Sequence, residues 1–100
     1  MTLNSNDIRV GSFEEAAAQA TGTAVVIDVF RAFTTAAVAM ANGVEKILMT
    51  GSIDDALALR ADGAGAFCMG ERNGLRPDGF DFGNSPAELS SHLLDGQIAI

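Results

Sequence analysis

Three carboxylates lie in parts of the sequence that could bring them into one site. Asp28 comes near the end of an apolar run, Glu71 follows another apolar run, and Asp81 lies in the Gly-rich stretch after it. Mg²⁺ prefers such oxygen ligands, usually one or two carboxylates with water and substrate phosphate oxygens. We therefore predict that these residues bind Mg²⁺ and are catalytic candidates through the metal, which can polarise a phosphoryl group or activate a water.

Groups that could bind an anion accompany the carboxylates. Arg31 and Arg72 lie close to them in the sequence, and a guanidinium group matches phosphate or sulfonate oxygens through paired hydrogen bonds. Asn84 and Ser85 precede a predicted helix start, where free backbone N–H groups and the helix dipole favour an anion. We predict that these four residues bind a small phosphorylated anion.

Each candidate also has a structural alternative. Asp28 could cap the helix that follows it, and the Glu71-Arg72 pair could be an exposed part of a loop. Asp81 could brace its loop through an Asx turn, and Ser85 is expected to cap a helix whether or not it touches an anion. The sequence alone leaves these alternatives open.

The apolar runs predict the strands that would position these residues. Strand candidates cover residues 23–29, 44–50 and 64–69, and a fourth begins at residue 97 and stops at residue 100. Helical segments of about ten residues alternate with them, which favours right-handed crossovers and a parallel sheet covered by helices. We predict an α/β fold with a parallel or mixed sheet, in three αβα layers, and expect the single domain 1–100 to be incomplete at its carboxyl end.

Capping signals mark where the helices begin and end. Three pairs match the capping box: Ser12 with Glu15, Ser52 with Asp55, and Ser85 with Glu88. Gly43 and Gly63 are placed to end two of these helical segments. In the helix over residues 32–41, we expect Thr34 and Thr35 to bond backbone carbonyls rather than to touch substrate.

The predicted topology brings the polar residues together. Parallel strands point the same way, and ligands of such sheets bind where the carboxyl ends turn into loops. We therefore expect five residues at one edge of the sheet: Asp28, Glu71, Asp81, Asn84 and Ser85.

Composition argues against several other classes of protein. The net charge of −7, with only six Lys and Arg residues, does not favour nucleic-acid binding, which needs clustered basic residues. Apolar runs are shorter than the ~18 residues of a membrane-spanning helix. Cys68 is the single cysteine, so no intramolecular disulfide can form, and a cytoplasmic location is expected.

Familiar phosphatase motifs fail on spacing. A cysteine phosphatase would need Arg where Gly74 stands, and an aspartate pair separated by one residue would need Asp where Phe30 stands. The glycines also do not fit the phosphate-loop pattern, because the required Lys is missing. Cys68 is therefore interpreted as a buried apolar thiol.

Three segments together resemble the 2-phosphosulfolactate phosphatase family. Residues 26–32 (VIDVFRA) resemble the first strand and turn of that family, residues 70–72 (GER) its middle loop, and residues 79–86 (GFDFGNSP) its most specific motif. The resemblance runs from about residue 23 to the end and covers the amino-terminal part of a family member.

The resemblance implies a Mg²⁺-dependent phosphatase of the coenzyme M biosynthesis type. Its reaction would convert 2-phosphosulfolactate into sulfolactate and phosphate. Asp28, Glu71 and Asp81 would be metal or acid–base groups, and Arg31 and Arg72 would bind the anion. Two alternatives stay open, a phosphatase for another small phosphorylated carboxylic acid and a catalytically silent anion-binding or assembly domain. Uncovered sheet edges and helix faces would favour a homo-oligomer.

Overall fold

The computed structural model describes residues 8–28 and 31–100. Its elements follow the order α1 (Phe13–Gln19), α2 (Ala32–Ala41), β1 (Lys46–Ile47), α3 (Ile53–Ala61), α4 (Pro86–Ser90) and β2 (Ile98–Ala99). The α/β class predicted from the sequence is confirmed in this coarse form, since helices accompany a parallel sheet. Across the described residues, every helix is too short or too polar to cross a membrane.

The sheet is built from parallel pairs. In the two-stranded sheet of β1 and β2, Lys46 lies opposite Ile98 and Ile47 lies opposite Ala99. A parallel bridge on the other side of β2 joins Ala99 to Phe67, and a further parallel bridge joins Met69 to Phe82. The order across the described segments is therefore β1, β2, the 67–69 segment and the segment at residue 82.

Segment β2 is hydrogen-bonded on both sides. The Leu48 N–H donates to the Ala99 carbonyl at 2.9 Å, and the Ala66 N–H donates to the Ile98 carbonyl at 2.8 Å. Next to this pairing, a Cβ on Gly65 would lie only 3.0 Å from the Ile98 carbonyl oxygen. The last residues of the sequence thus occupy the middle of the sheet, between segments that precede them by 30 to 50 residues.

Side chains alternate between two apolar clusters along the paired segments. Phe67 and Ala99 belong to one cluster and Cys68 and Ile100 to the other, as the period of two in extended chains requires. Helices α2 and α4 contribute buried residues to the first cluster and α3 to the second: Ala39, Leu89 and Ala56 respectively. Helices therefore bury their apolar side chains against both sets of sheet residues.

The strand predicted over residues 23–29 is wrong for its described part. Residues 23–28 have no regular secondary structure, and Val25, Val26 and Ile27 are 80%, 70% and 81% exposed. An apolar run becomes a strand only where a neighbouring segment supplies hydrogen bonds, and none of the described parallel pairs includes these residues. Residue 29, the end of the predicted strand, lies outside the described residues.

All three serines predicted to begin helices are confirmed at N-cap positions, but the side-chain capping bond forms at one of the three. Ser52 Oγ accepts the Asp55 N–H at 3.2 Å, as expected for an N-cap. Ser12 and Ser85 precede helices but make no such side-chain bond. Glu88, which a capping box would turn back toward the start of α4, instead accepts the Gly83 N–H at 3.2 Å. Helix α4 is thereby connected to the Gly-rich loop, which covers residues 70–84.

The end of α2 is tied to the segment that leads into β2. Asn42 donates from its side-chain amide to the Leu89 carbonyl at 2.7 Å, and its own carbonyl accepts the Leu94 N–H at 3.0 Å. Gly43 follows with φ of +101°, and its carbonyl accepts the Gly96 N–H at 2.9 Å. The predicted helix end at Gly43 is confirmed, and it orients the approach to β2.

We predict that Gly43→Ala destabilises the fold more than Gly63→Ala does. Both glycines have positive φ, but a Cβ on Gly43 would lie 2.8 Å from Asp95 Cα, whereas one on Gly63 would meet nothing within 4 Å. The control should lose about 1 kcal/mol of unfolding free energy from backbone strain alone, and Gly43→Ala about 2–4 kcal/mol. Urea denaturation measures both, and equal losses would contradict the steric argument.

Candidate functional site

A cavity of about 210 Å³ lies at the carboxyl ends of the parallel segments. Such a volume greatly exceeds the ~10–15 Å³ that one water requires, so a small organic molecule can enter. Its wall comes from the first half of α2, the connection from β1 to α3, the residues after the 67–69 segment, and β2: Ala32, Thr35, Ala36, residues 47–53, Ala56, residues 69–72, Phe80, Asn84 and Ile100. The cavity therefore occupies the edge where the parallel topology predicts a ligand.

Three of the predicted site residues line this cavity: Glu71, Arg72 and Asn84. The Glu71 and Arg72 side chains are exposed and Asn84 is half-buried. Among the described residues, Arg72 takes part in no ion pair. An arginine and an amide facing a cavity in a chain of net charge −7 provide local hydrogen-bond donors for an anion.

Glu71 and Arg72 belong to a tight hairpin. Arg72 and Leu75 exchange backbone hydrogen bonds at 2.9 and 3.1 Å, and the turn residues Asn73 and Gly74 have φ of 54° and 80°. Positive φ at both turn positions is the type I′ geometry, for which Asn-Gly is the preferred pair. Asn-Gly is a hairpin signal present in the sequence itself, and the loop predicted over this segment is therefore wrong at these residues. Glu71 Oε2 accepts the Gly74 N–H at 2.7 Å, which stabilises the turn beside Arg72.

Asp81 is held by two donors away from the cavity wall. Its Oδ2 accepts from Arg60 Nη1 at 2.7 Å and from the Cys68 N–H at 2.9 Å. These bonds connect the Gly-rich loop to α3 and to the sheet, so Asp81 has a bracing role. The bracing alternative therefore describes its contacts, although the partners differ from those of an Asx turn.

The remaining predicted residues do not line the cavity. Asp28 is half-buried, Arg31 is exposed at the N-cap of α2, and Ser85 is half-buried at the N-cap of α4. Within residues 8–28 and 31–100, no three His, Cys, Asp or Glu side chains stand close enough to share a metal ion. Asp28, Glu71 and Asp81 are thus not brought together as a three-carboxylate set.

Hydroxyl groups around the cavity differ in their partners. Thr50 Oγ1 accepts the Ser52 N–H at 3.2 Å, and Ser52 Oγ is occupied by the Asp55 N–H. Thr35 is 2% exposed, and its Oγ1 is buried with no hydrogen-bond partner among the described residues. The expectation that Thr35 bonds a backbone carbonyl within its helix is therefore wrong.

Cys68 lies behind the site in the second apolar cluster. It is fully buried, and its thiol donates to the Ala56 carbonyl at 3.4 Å. Burial raises the pKa of the Cys68 thiol; the positive charge of Arg60 opposes this shift and the Asp81 carboxylate adds to it. The interpretation of Cys68 as a buried apolar thiol is confirmed.

Parallel pairing, interspersed helices and a cavity at the carboxyl ends define an α/β protein whose cavity lies where such folds usually bind ligands. The sequence matches the family described as 2-phosphosulpholactate phosphatase over residues 10–100. The chain therefore belongs to the 2-phosphosulfolactate phosphatase family, as its motifs indicated.

Proteins named "Probable 2-phosphosulfolactate phosphatase" are similar in sequence to about three quarters of this chain. The protein of Carboxydothermus hydrogenoformans is 52% identical over 76% of this chain and 31% of its own length. The protein of Deinococcus radiodurans is 43% identical over 77% of this chain and 32% of its own length. The protein of Thermotoga petrophila is 41% identical over 78% of this chain and 34% of its own length. The chain spans about a third of the length of these curated relatives.

We predict that Asp81→Ala lowers the unfolding free energy by about 1–3 kcal/mol, because it leaves the partly buried Cys68 N–H without its acceptor. The exposed ion pair with Arg60 should add little. Asp78→Ala, an exposed site in the same loop, is the control and should change stability by less than about 0.5 kcal/mol. Urea denaturation tests this, and a loss no larger than that of the control would remove the bracing role.

We predict that native Cys68 reacts with iodoacetamide on the order of a hundredfold more slowly at pH 8 than in urea, since burial and the raised pKa both suppress the thiolate. The folded thiol holds its proton more tightly, so stability should fall as pH rises from the unfolded pKa through the folded pKa. Cys68→Ala should lose this part of the pH dependence. Equal alkylation rates in the two states would contradict the buried placement.

Proposed function

We propose that this chain forms part of the active site of a phosphatase that hydrolyses 2-phosphosulfolactate to sulfolactate and phosphate. The observation that carries the proposal is the cavity at the carboxyl ends of the parallel segments, lined by Arg72, Asn84 and Glu71 in a chain of this family. Water would supply the oxygen that bonds to phosphorus, and the ester oxygen would leave with sulfolactate and take up a proton. Production of sulfolactate for coenzyme M biosynthesis stays a prediction.

Arg72 and Asn84 are the proposed anion-binding residues of the cavity. The substrate would bring phosphate, carboxylate and sulfonate groups, and a guanidinium group can bind the oxygens of any of them. The type I′ turn fixes the backbone of Arg72, and Glu71 holds that turn through the Gly74 N–H. Less backbone freedom is then lost when the ligand binds.

A Mg²⁺ ion is compatible with this cavity through Glu71. Among the described residues, Glu71 is the one carboxylate in the cavity wall, and Mg²⁺ sites commonly use one or two carboxylates with waters and substrate phosphate oxygens. Glu71 Oε2 accepts the Gly74 N–H, and the carboxylate keeps further lone pairs with which it could bind the ion. The ion would offset the charge of the phosphoryl group.

Asp28, Arg31, Asp81 and Ser85 remain proposed site residues that lie outside the cavity wall. Asp28 and Arg31 flank residues 29 and 30, which lie outside the described residues, and neither lines the cavity. Asp81 has bracing partners, and Ser85 is next to the cavity residue Asn84. A Mg²⁺-binding or acid–base role for Asp28 and Asp81 stays a prediction.

We also propose the three-layer αβα arrangement for the whole domain. The support is the assignment of α2 and α4 to one apolar cluster and of α3 to the other, with alternate sheet residues in each. A cytoplasmic location and a homo-oligomeric state stay predictions.

The proposal predicts that Arg72→Gln lowers kcat/KM for 2-phosphosulfolactate by roughly 10- to 100-fold, the loss expected for a charge-assisted bond of about 1.5–3 kcal/mol. Arg76→Gln is the matched control, because Arg76 follows in the same loop without lining the cavity. Phosphate release by the full-length protein, with Mg²⁺ and with EDTA, is the measurement.

Four results would count against parts of the proposal. No phosphate release by the wild type would remove the phosphatase activity, and release from other phosphoesters alone would remove the substrate assignment. Equal effects of the two substitutions would remove Arg72 from the site. Full activity in EDTA would remove the metal.

A further inference from the structure

The α2 wall of the cavity contains a buried hydroxyl group without a hydrogen-bond partner. Thr35 lines the same cavity as Arg72 and Asn84, although it comes from a different element. It is 2% exposed, and its Oγ1 has no partner among the described residues. A polar atom of this kind is uncommon, because buried hydroxyl groups nearly always find a donor or an acceptor.

The helix contains a backbone carbonyl that could accept a hydrogen bond from the Thr35 hydroxyl group, but this bond is not formed. Threonine inside a helix usually bonds the carbonyl four residues earlier, here that of Arg31. The Arg31 carbonyl accepts the Thr35 backbone N–H at 2.8 Å, while Oγ1 makes no bond. An unpaired buried hydroxyl costs free energy, and a ligand that accepts its proton would recover that cost.

We propose that Thr35 is a ligand-binding residue that donates its hydroxyl hydrogen bond to an oxyanion group in the cavity. The inference rests on the substrate cavity of the proposed function but does not require turnover. An oxyanion is the expected ligand because Arg72 lines the same cavity, and oxyanion oxygens only accept hydrogen bonds. Of the hydroxyl groups around the cavity, Thr50 Oγ1 donates to the Ser52 carbonyl and Ser52 Oγ accepts the Asp55 N–H, whereas Thr35 Oγ1 has neither a donor nor an acceptor among the described residues.

Thr35 would also add specificity that the arginine lacks. A guanidinium group binds many anions at a range of positions, whereas a β-branched side chain on a helix has few rotamers and holds its hydroxyl in a narrow region. Thr35 on α2 and Arg72 in the hairpin approach from different elements. A small anion that reaches both would be oriented in the cavity.

Four forms of the full-length protein test the inference: wild type, Thr35→Val, Thr35→Ser and Thr34→Val. Valine keeps the shape of Thr35 without the hydroxyl, and serine keeps the hydroxyl. Thr34 is an exposed neighbour on the same helix that does not line the cavity, so Thr34→Val is the matched control. Calorimetric titrations with inorganic phosphate and with sulfate measure affinity, and thermal melts without ligand measure stability.

We expect Thr35→Val to bind phosphate or sulfate about tenfold more weakly than wild type, a difference of about 1.4 kcal/mol. Thr35→Ser and Thr34→Val should bind within about threefold of wild type, as conservative changes do. The melting temperature of Thr35→Val should stay level or rise, because valine removes an unpaired polar atom from the core. A merely structural threonine would show the opposite pattern, with lower stability and unchanged affinity.

Several results would overturn the inference: equal affinity of Thr35→Val and wild type, no binding of either anion by wild type, or a clear fall in melting temperature for Thr35→Val. Other results would test the proposed phosphatase activity independently of the role of Thr35. Thr35-dependent phosphate binding without phosphate release from 2-phosphosulfolactate would remove the activity and leave Thr35 as a ligand residue. Hydrolysis of 2-phosphosulfolactate with equal kinetics in Thr35→Val and wild type would support the phosphatase activity and remove Thr35 as a ligand residue.

Discussion

Hydrogen bonding of β2 on both of its edges is the interaction on which the described fold depends. Leu48 and Ala66, from segments far apart in the sequence, donate to successive carbonyls of Ala99 and Ile98. With β2 between them, residues 45–48 and 66–69 lie on opposite sides of one strand, and their side chains alternate between two apolar clusters. The cavity requires the same arrangement, because its wall uses the carboxyl ends of all three segments.

The Gly-rich loop acts as part of the framework as well as part of the cavity. Asp81 attaches the loop to α3 and to the sheet, Glu88 accepts the Gly83 N–H, and Glu71 holds the Asn-Gly turn. Several acidic residues are therefore engaged by N–H donors. Arg72 and Asn84 line the cavity and can donate hydrogen bonds to a ligand, so an acidic chain can still present a locally favourable surface to an anion.

Local sequence signals predicted the structure correctly where the stabilising interactions join residues that are close in the sequence. Ser52 caps α3 through the Asp55 N–H, and Gly43 ends α2 with the positive φ that glycine tolerates. The cavity edge followed from parallel topology, which needs only the alternation of apolar runs with helices. The Asn73-Gly74 hairpin depends on an equally local signal, the preference of Asn-Gly for turns with positive φ at both positions.

The sequence by itself determined the family, the α/β class and the helices, because motifs, caps and hydrophobic periods depend on neighbouring residues. Tertiary structure decided which apolar runs pair, leaving residues 23–28 without a strand while residues 98–99 became central. It also decided that Asp81 meets Arg60 and the Cys68 N–H, and that Thr35 has a buried hydroxyl without a partner. Such outcomes depend on which donors and acceptors from distant parts of the sequence come together, and local sequence patterns do not determine these contacts.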